Sequence, residues 1–123
     1  MRYLGIGTGA FLGANLRYLL QTWTANRWGP DFPYGTLLIN VSGSLILGFF
    51  ITLATQRLAV SPNMRAFIAV GLLGGYTTFS SFSVETLNLL QAGRGLSAVL
   101  YMTGNVFLGL AGAYLGVVLA RAV

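Results

Sequence analysis

Three long stretches of this sequence contain no charged residue, and they constrain the fold more than any other feature. The stretches cover residues 32–56, 66–84 and 95–120. A helix needs about 20 mostly apolar residues to cross the hydrocarbon core of a bilayer. Charged residues make up only 7% of the chain, too few to give a globule of this size a water-compatible surface. The sequence therefore predicts an integral membrane protein built from helices.

A fourth span is predicted near the N-terminus, where residues 3–22 contain no charge apart from Arg17. An arginine close to a helix end can extend its head group to the interface, where Trp23 and Trp28 are also typical. A cleavable signal peptide is a weaker alternative, because only Arg2 precedes the apolar stretch and no clear cleavage site follows. Turn-forming residues separate the spans. We expect an all-α, multi-pass domain of the cell (inner) membrane, residues 1–123, with helices at 3–23, 34–56, 66–92 and 96–120.

Many functions require residues that this chain lacks. It has no cysteine and no histidine, and its only acidic residues are Asp31 and Glu85. These absences remove thiol nucleophiles, imidazole bases and the usual metal-ligand clusters, so we expect no enzyme activity. The seven arginines are scattered singly and form no basic face, which predicts no nucleic-acid partner. The expected surroundings are membrane lipid.

The arginines are almost evenly divided between the two sides of the predicted bundle. One side carries Arg2, Arg57, Arg65 and Arg121, and the other carries Arg27 and Arg94, with Arg17 if its head group reaches that side. So small a difference is a weak orienting signal under the positive-inside rule. Such a chain can insert both ways and pair with an inverted copy of itself. A fixed orientation with an uninformative charge count is the alternative.

Glycines recur at four-residue spacing in the first and last predicted helices, at positions 5, 9 and 13 and at positions 112 and 116. Small residues at this spacing let helix backbones approach closely in lipid. The pattern leaves two alternatives open. The glycines join separate chains, or they only pack the helices of one chain.

The third predicted helix contains a segment that disfavours regular helix. Gly74 and Gly75 precede residues 77–83, of which five carry hydroxyl groups. Unwound backbone at membrane depth is tolerated only where protein buries it or a polar cavity faces it, and freed carbonyls there can coordinate a cation. We expect a break near residues 74–78. The alternative is a helix kinked at the glycine pair, with hydroxyls bonded to carbonyls one turn earlier.

Four segments together resemble a known family. Residues 74–85 read Gly-Gly-Tyr-Thr-Thr-Phe-Ser-Ser-Phe-Ser-Val-Glu, which is similar to the signature of the CrcB/Fluc fluoride channels. Residues 13–18, Gly-Ala-Asn-Leu-Arg-Tyr, resemble that family's first-helix arginine motif. Residues 35–40, Gly-Thr-Leu-Leu-Ile-Asn, resemble its second-helix asparagine motif, and Gly-Arg-Gly at 93–95 resembles its third loop. The resemblance covers essentially the whole chain.

This resemblance implies a fluoride-selective channel for passive efflux of toxic fluoride. The implied assembly is a dual-topology homodimer, in which a second, antiparallel copy of the four-helix chain completes two pores. The resemblance also implies a structural sodium ion (Na+) at the dimer interface. By motif position, its ligands are the main-chain carbonyls of Gly74 and Thr77 in each copy.

The resemblance implies that particular side chains line the ion pathway. Phe79 and Phe82 would turn their positive ring edges toward the anion, although lipid-facing or core packing is the ordinary role of such residues. Asn40 would donate from its amide, and a plain interhelical hydrogen bond is its alternative role. Ser81 completes this part of the predicted pathway.

Tyr101 and Asn105, four residues apart on the last predicted helix, would extend the same polar track. Family members tend to carry small hydroxyl residues along this stretch, so Asn105 departs from the pattern. Arg17 and Glu85 are the two charges inside spans, and we place them at the mouth of the pathway. They pair there, directly or through water, or else Arg17 extends alone to the interface and Glu85 accepts hydrogen bonds locally.

Two rival functions remain open. A small-multidrug-type proton-coupled antiporter would need a membrane carboxylate, and Glu85 is the only candidate. That residue lies about 13 Å from the end of the predicted third helix, which is off the midplane. A non-transporting membrane scaffold is the second rival, and it leaves the unusual 74–85 string unexplained.

Overall fold

The computed structural model describes all 123 residues, and the chain is helical with no β-strand. Four long helices follow one another: α1 (Arg2–Trp28), α2 (Tyr34–Gln56), α3 (Pro62–Gln91) and α4 (Gly95–Ala122). Three of them, α2, α3 and α4, are long and apolar enough to cross a membrane. Only 21 of the 123 residues are buried, so most of the apolar surface faces outward, as a lipid environment allows. The chain is a multi-pass membrane protein.

The helix bounds differ from the predicted ones mainly at α1 and α3. α1 continues through both tryptophans and ends only at Gly29, whose φ of 86° is readily available to glycine alone. α3 begins at Pro62 rather than at residue 66, because Ser61 caps it by accepting a hydrogen bond from the Met64 amide at 3.2 Å. The bounds of α2 match the prediction, and α4 is longer by one residue at its start and two at its end.

The helical backbone of α3 is interrupted once. We call the part before the interruption α3a (62–76) and the part after it α3b (Phe79–Gln91). Between them, Thr77 and Thr78 have extended backbone, with ψ angles of 159° and 118°. The Thr78 hydroxyl starts α3b by accepting a hydrogen bond from the Ser81 amide at 3.2 Å. The interruption therefore begins after the glycine pair, which itself remains helical.

Glycines allow the helices to approach closely within one chain. A Cβ atom on Gly13 of α1 would lie 2.0 Å from the carbonyl oxygen of Leu72 in α3a. A Cβ atom on Gly116 of α4 would lie 2.1 Å from the carbonyl oxygen of Leu45 in α2. Both distances are far below van der Waals contact. These two glycines therefore pack α1 on α3a and α4 on α2, which is the intrachain alternative of the glycine pattern.

Candidate ion pathway

Two pairs of polar residues place their side chains on neighbouring helices around α3b. Thr36 and Asn40 are four residues apart on α2, and Tyr101 and Asn105 are four apart on α4, so each pair lies on one face of its helix. All four belong to one hydrogen-bonded network that also contains Glu85 of α3b. The spacing within each pair was readable from the sequence, but the way that the pairs meet was not.

Asn40 holds the extended segment of α3 in place. Its Nδ2 donates to the Thr78 carbonyl at 3.1 Å, and its Oδ1 accepts from the Thr78 amide at 2.9 Å. The same Nδ2 donates to Asn105 Oδ1 at 2.9 Å. One amide side chain thus contacts both backbone groups of Thr78 and supplies the acceptor for its amide, which would otherwise be unpaired at the interruption.

Glu85 is the centre of the second half of the network. Its Oε1 accepts from the Thr36 hydroxyl at 3.0 Å, and its Oε2 accepts from the Tyr101 hydroxyl. Gln21 of α1 donates to the Thr36 hydroxyl at 3.1 Å. Tyr101 is fully buried, and Asn105 Nδ2 donates to its carbonyl at 2.9 Å. The carboxylate therefore has a hydrogen-bond donor on each oxygen, and the network joins all four helices.

The predicted aromatic pair lies beside this network. The ring centroids of Phe79 and Phe82 are 5.5 Å apart, and Phe82 lies 5.6 Å from Tyr101. Both phenylalanines line a cleft of about 300 Å³ together with Asn40 and Asn105. We call it the aromatic cleft. Phe79 is 78% exposed, so this side of the cleft is open in a single chain.

A second cleft, of about 450 Å³, opens at the end of the bundle that holds the first loop. Its polar lining includes Gln21, Thr24, Thr36, Ser81 and Glu85, and residues of the first loop such as Phe32 also line it. We call it the loop cleft. Because Thr36 of this cleft and Asn40 of the aromatic cleft are one turn apart on α2, the two clefts are neighbours. Each predicted pathway residue of α2 and α3b therefore lines either the aromatic cleft or the loop cleft. Tyr101 is buried in the hydrogen-bonded network between the two clefts.

The predicted direct pair between Arg17 and Glu85 is not formed within the chain. Arg17 Nη1 donates instead to the Thr77 carbonyl at 3.3 Å, at the interruption of α3. Glu85 is bonded to Thr36 and Tyr101. The physical reason is that each charge finds a nearer partner on a packed helix. Sequence reasoning missed Gln21, although its position four residues after Arg17 places both polar side chains on one face of α1.

The two carbonyls that were predicted to hold a cation are in different situations. In a continuous α-helix the Thr78 amide would donate to the Gly74 carbonyl, but here it donates to Asn40. The Thr77 carbonyl accepts a hydrogen bond from Arg17. The chain has no cluster of three or more acidic, histidine or cysteine side chains that could bind a metal ion.

Comparison with known proteins gives the family. The sequence model described as CrcB-like protein, Camphor Resistance (CrcB), matches residues 4–117. The chain belongs to the CrcB family. Membership in this family, together with three membrane-spanning helices, makes it a multi-pass protein of the cell membrane.

Several relatives of this CrcB chain carry a functional name. A fluoride-specific ion channel FluC of Roseiflexus sp. (strain RS-1) is 51% identical over 121 residues, which is 98% of each chain. A protein of the same name from Chloroflexus aurantiacus (strain ATCC 29366 / DSM 635 / J-10-fl) is 47% identical, covering 96% of this chain and 94% of the relative. The one from Rhizobium meliloti (strain 1021) is 43% identical, over 95% of this chain and 94% of its own.

Proposed function

We propose that this chain forms a fluoride-selective channel through which fluoride leaves the cell passively. The observation that carries the proposal is the similarity to relatives named fluoride-specific ion channels, which align with nearly the whole chain at 43% to 51% identity. The aromatic cleft supports it physically, because it combines amide groups with phenylalanine rings and contains no charged side chain. A fixed cation there would trap a small anion rather than conduct it.

The driving force needs no coupled reaction. Hydrogen fluoride is a weak neutral acid that crosses lipid and dissociates in a less acidic cytoplasm, which leaves fluoride inside as an anion. A negative-inside potential drives a monovalent anion outward by about 2.3 kcal/mol per 100 mV. A selective leak is therefore sufficient to lower internal fluoride.

In this pathway the two asparagines have different tasks. Both N–H groups of the Asn40 amide are already used, on the Thr78 carbonyl and on Asn105 Oδ1. Asn105 uses one N–H group on the Tyr101 carbonyl, which leaves its second one available. Fluoride is a strong hydrogen-bond acceptor and needs donors to replace its water. Asn105 supplies a free donor in the aromatic cleft, and Asn40 becomes a donor when fluoride displaces one of its present partners.

The functional unit in this proposal is an antiparallel, dual-topology homodimer with two pores. The exposed face of Phe79 and the open aromatic cleft beside it suit completion by a second copy of the chain. The nearly even distribution of arginines between the two sides suits insertion in both orientations. Each pore would then be lined by residues from both chains.

A sodium ion at the dimer interface is a further part of the proposal. The carbonyls of Gly74 and Thr77 from both copies would hold it, and it would supply positive charge that keeps the two interruptions together. Replacing sodium with a large organic cation during purification is expected to shift the purified protein from dimer toward monomer. Light scattering after size exclusion measures this shift, and potassium serves as the control for ionic strength. A dimer that persists equally in all three salts would remove sodium from the proposal.

Liposome efflux tests the function directly. The purified chain is expected to release fluoride from loaded vesicles rapidly and chloride hardly at all. Phe79→Ile and Phe82→Ile are each expected to slow fluoride efflux about 10-fold, because an aliphatic side chain has no positive ring edge to face the anion. Phe11→Ile is the matched control, since Phe11 is an exposed phenylalanine of α1 outside both clefts.

The same assay separates the rival functions. A channel releases fluoride without any pH gradient, whereas a proton-coupled antiporter does not. Glu85, the only candidate carboxylate for an antiporter, already accepts a hydrogen bond on each of its oxygens within the chain. A membrane scaffold would give no ion flux at all. Fluoride release that requires a pH gradient, or no release, would contradict the channel.

A further inference from the structure

The two ends of the bundle differ completely in acidic content. The loop between α2 and α3 lies at the same end as both chain termini, because Arg57 donates to the Arg121 carbonyl at 2.9 Å and Arg2 donates to Asn63 Oδ1 at 3.4 Å. Asp31 and Glu85 line a single cleft at the opposite end. We call the first end the arginine end; its charged side chains are Arg2, Arg57, Arg65 and Arg121. It carries four cations and no carboxylate side chain.

A cleft of about 510 Å³ opens at the arginine end, between the start of α1, the C-terminal half of α2 and the start of α3. Two of its lining residues are Arg2 and Arg65, and its apolar lining includes Ile51, Val60 and Val70. We call it the arginine cleft. Since α2 and α3 span the membrane, their ends at this cleft lie at head-group depth. Cationic groups beside an apolar wall match the two parts of a lipid molecule.

Arg65 has hydrogen-bonding capacity that the chain does not use. Its Nη2 donates to the Ala54 carbonyl at 2.7 Å and so caps the last turn of α2. Its Nε is buried and has no hydrogen-bond acceptor. An unpaired buried donor on a charged group is costly, and such groups in folded proteins usually have a partner. A phosphate oxygen is a suitable partner, because the planar guanidinium binds phosphate through parallel N–H groups.

We propose that the arginine cleft binds the phosphate of an anionic phospholipid, with an acyl chain along Ile51, Val60 and Val70. The lipid is anionic, of the phosphatidylglycerol type, rather than zwitterionic. A choline or ethanolamine head group would bring another cation to an end that already holds four arginines and no carboxylate side chain. The phosphate, in contrast, would accept hydrogen bonds from Arg2 and Arg65 and neutralise charge that no carboxylate side chain of the same chain offsets at this end.

Native mass spectrometry of the purified full chain tests this site, with phosphatidylglycerol and phosphatidylcholine as probes. The parent protein is expected to retain phosphatidylglycerol preferentially. Arg2→Gln with Arg65→Gln is expected to weaken that retention about 30-fold, because each arginine near an anionic head group contributes substantially to binding. Arg2→Gln alone keeps the helix cap of Arg65 and is expected to weaken it about 5-fold. The matched control is Arg27→Gln with Arg94→Gln, which removes the same charge elsewhere.

Four results would overturn the proposal. They are equal retention of both lipids by the parent, equal loss in the matched control, no loss in the Arg2→Gln variant, and displacement of phosphatidylglycerol by inorganic phosphate alone. The last result would show a free-anion site rather than a lipid site. Because the single variant leaves the cap on α2 intact, a folding defect of the double variant would not decide the outcome.

Discussion

Replacing Gly13 with alanine is expected to destabilise the protein by about 3 kcal/mol. The added Cβ would lie 2.0 Å from the Leu72 carbonyl oxygen and 2.8 Å from the Tyr76 backbone nitrogen. Both atoms belong to the α3 backbone, so no side-chain rotation relieves the clash. Helix α1 must therefore move away from α3a, which also weakens the contact of Arg17 with the interruption.

Gly7→Ala is the matched control for this prediction. Gly7 lies on the same helix, and nothing lies within 4 Å of the position that its Cβ would occupy. Alanine there is expected to be neutral or to stabilise α1 by up to about 1 kcal/mol, because glycine is the poorer helix former. Tryptophan fluorescence during thermal unfolding in detergent measures both variants, since Trp23 and Trp28 both lie on α1. Equal stability of the two variants would show that α1 does not depend on this close approach.

The spans were largely predictable because bilayer thickness sets their length and charge limits their extent. The charged residues Asp31 and Arg57 bound an uncharged stretch, and the helix predicted within it at 34–56 has the same bounds as α2. The end of α1 was misplaced because the two tryptophans are equally compatible with a helix and with an interface. Its true end depends on Gly29, where the backbone takes a positive φ.

The origin of the α3 interruption was not predictable from local propensity. Sequence reasoning attributed it to the glycine pair and the hydroxyl residues that follow, near residues 74–78. Gly75, however, is helical and serves packing, since its Cβ would lie 2.8 Å from the Ala10 carbonyl of α1. The extended Thr78 is instead held by Asn40, which lies 38 positions earlier. A contact of that range has no local signal. For the same reason the sequence could not choose Thr77 as the partner of Arg17.

The candidate site was predictable as a set of residues but not as a network. Phe79, Phe82, Asn40 and Asn105 were all selected from the sequence, and the structure brings them to one cleft. Their functional roles stay predictions. The partners of Glu85 were missed, because the sequence shows which residues are polar in each helix but not how the helices are rotated about their axes.

Replacing Asn40 with alanine is expected to slow fluoride efflux about 100-fold, through the combined loss of a pathway amide and of support for the interruption. The Thr78 amide loses its only acceptor, and an unsatisfied buried group costs about 1–3 kcal/mol. Asn105 loses the donor to its Oδ1 and is then held only by the hydrogen bond from its Nδ2 to the Tyr101 carbonyl. The extended segment is then held by contacts such as that of Arg17 and the Thr78 cap, which weakens its hold on the position beside the aromatic cleft.

Asn15→Ala is the matched control for Asn40→Ala, because the Asn15 amide bonds only to the Phe11 carbonyl of its own helix. Fluoride efflux from liposomes is measured for both variants, with dimer content determined on the same samples so that loss of assembly is distinguished from loss of conduction. Slow efflux from an intact Asn40→Ala dimer would place the residue in the pathway or its immediate support. Parent-like efflux from that dimer would show that the interruption keeps its geometry without the amide, and the assignment of Asn40 would fail.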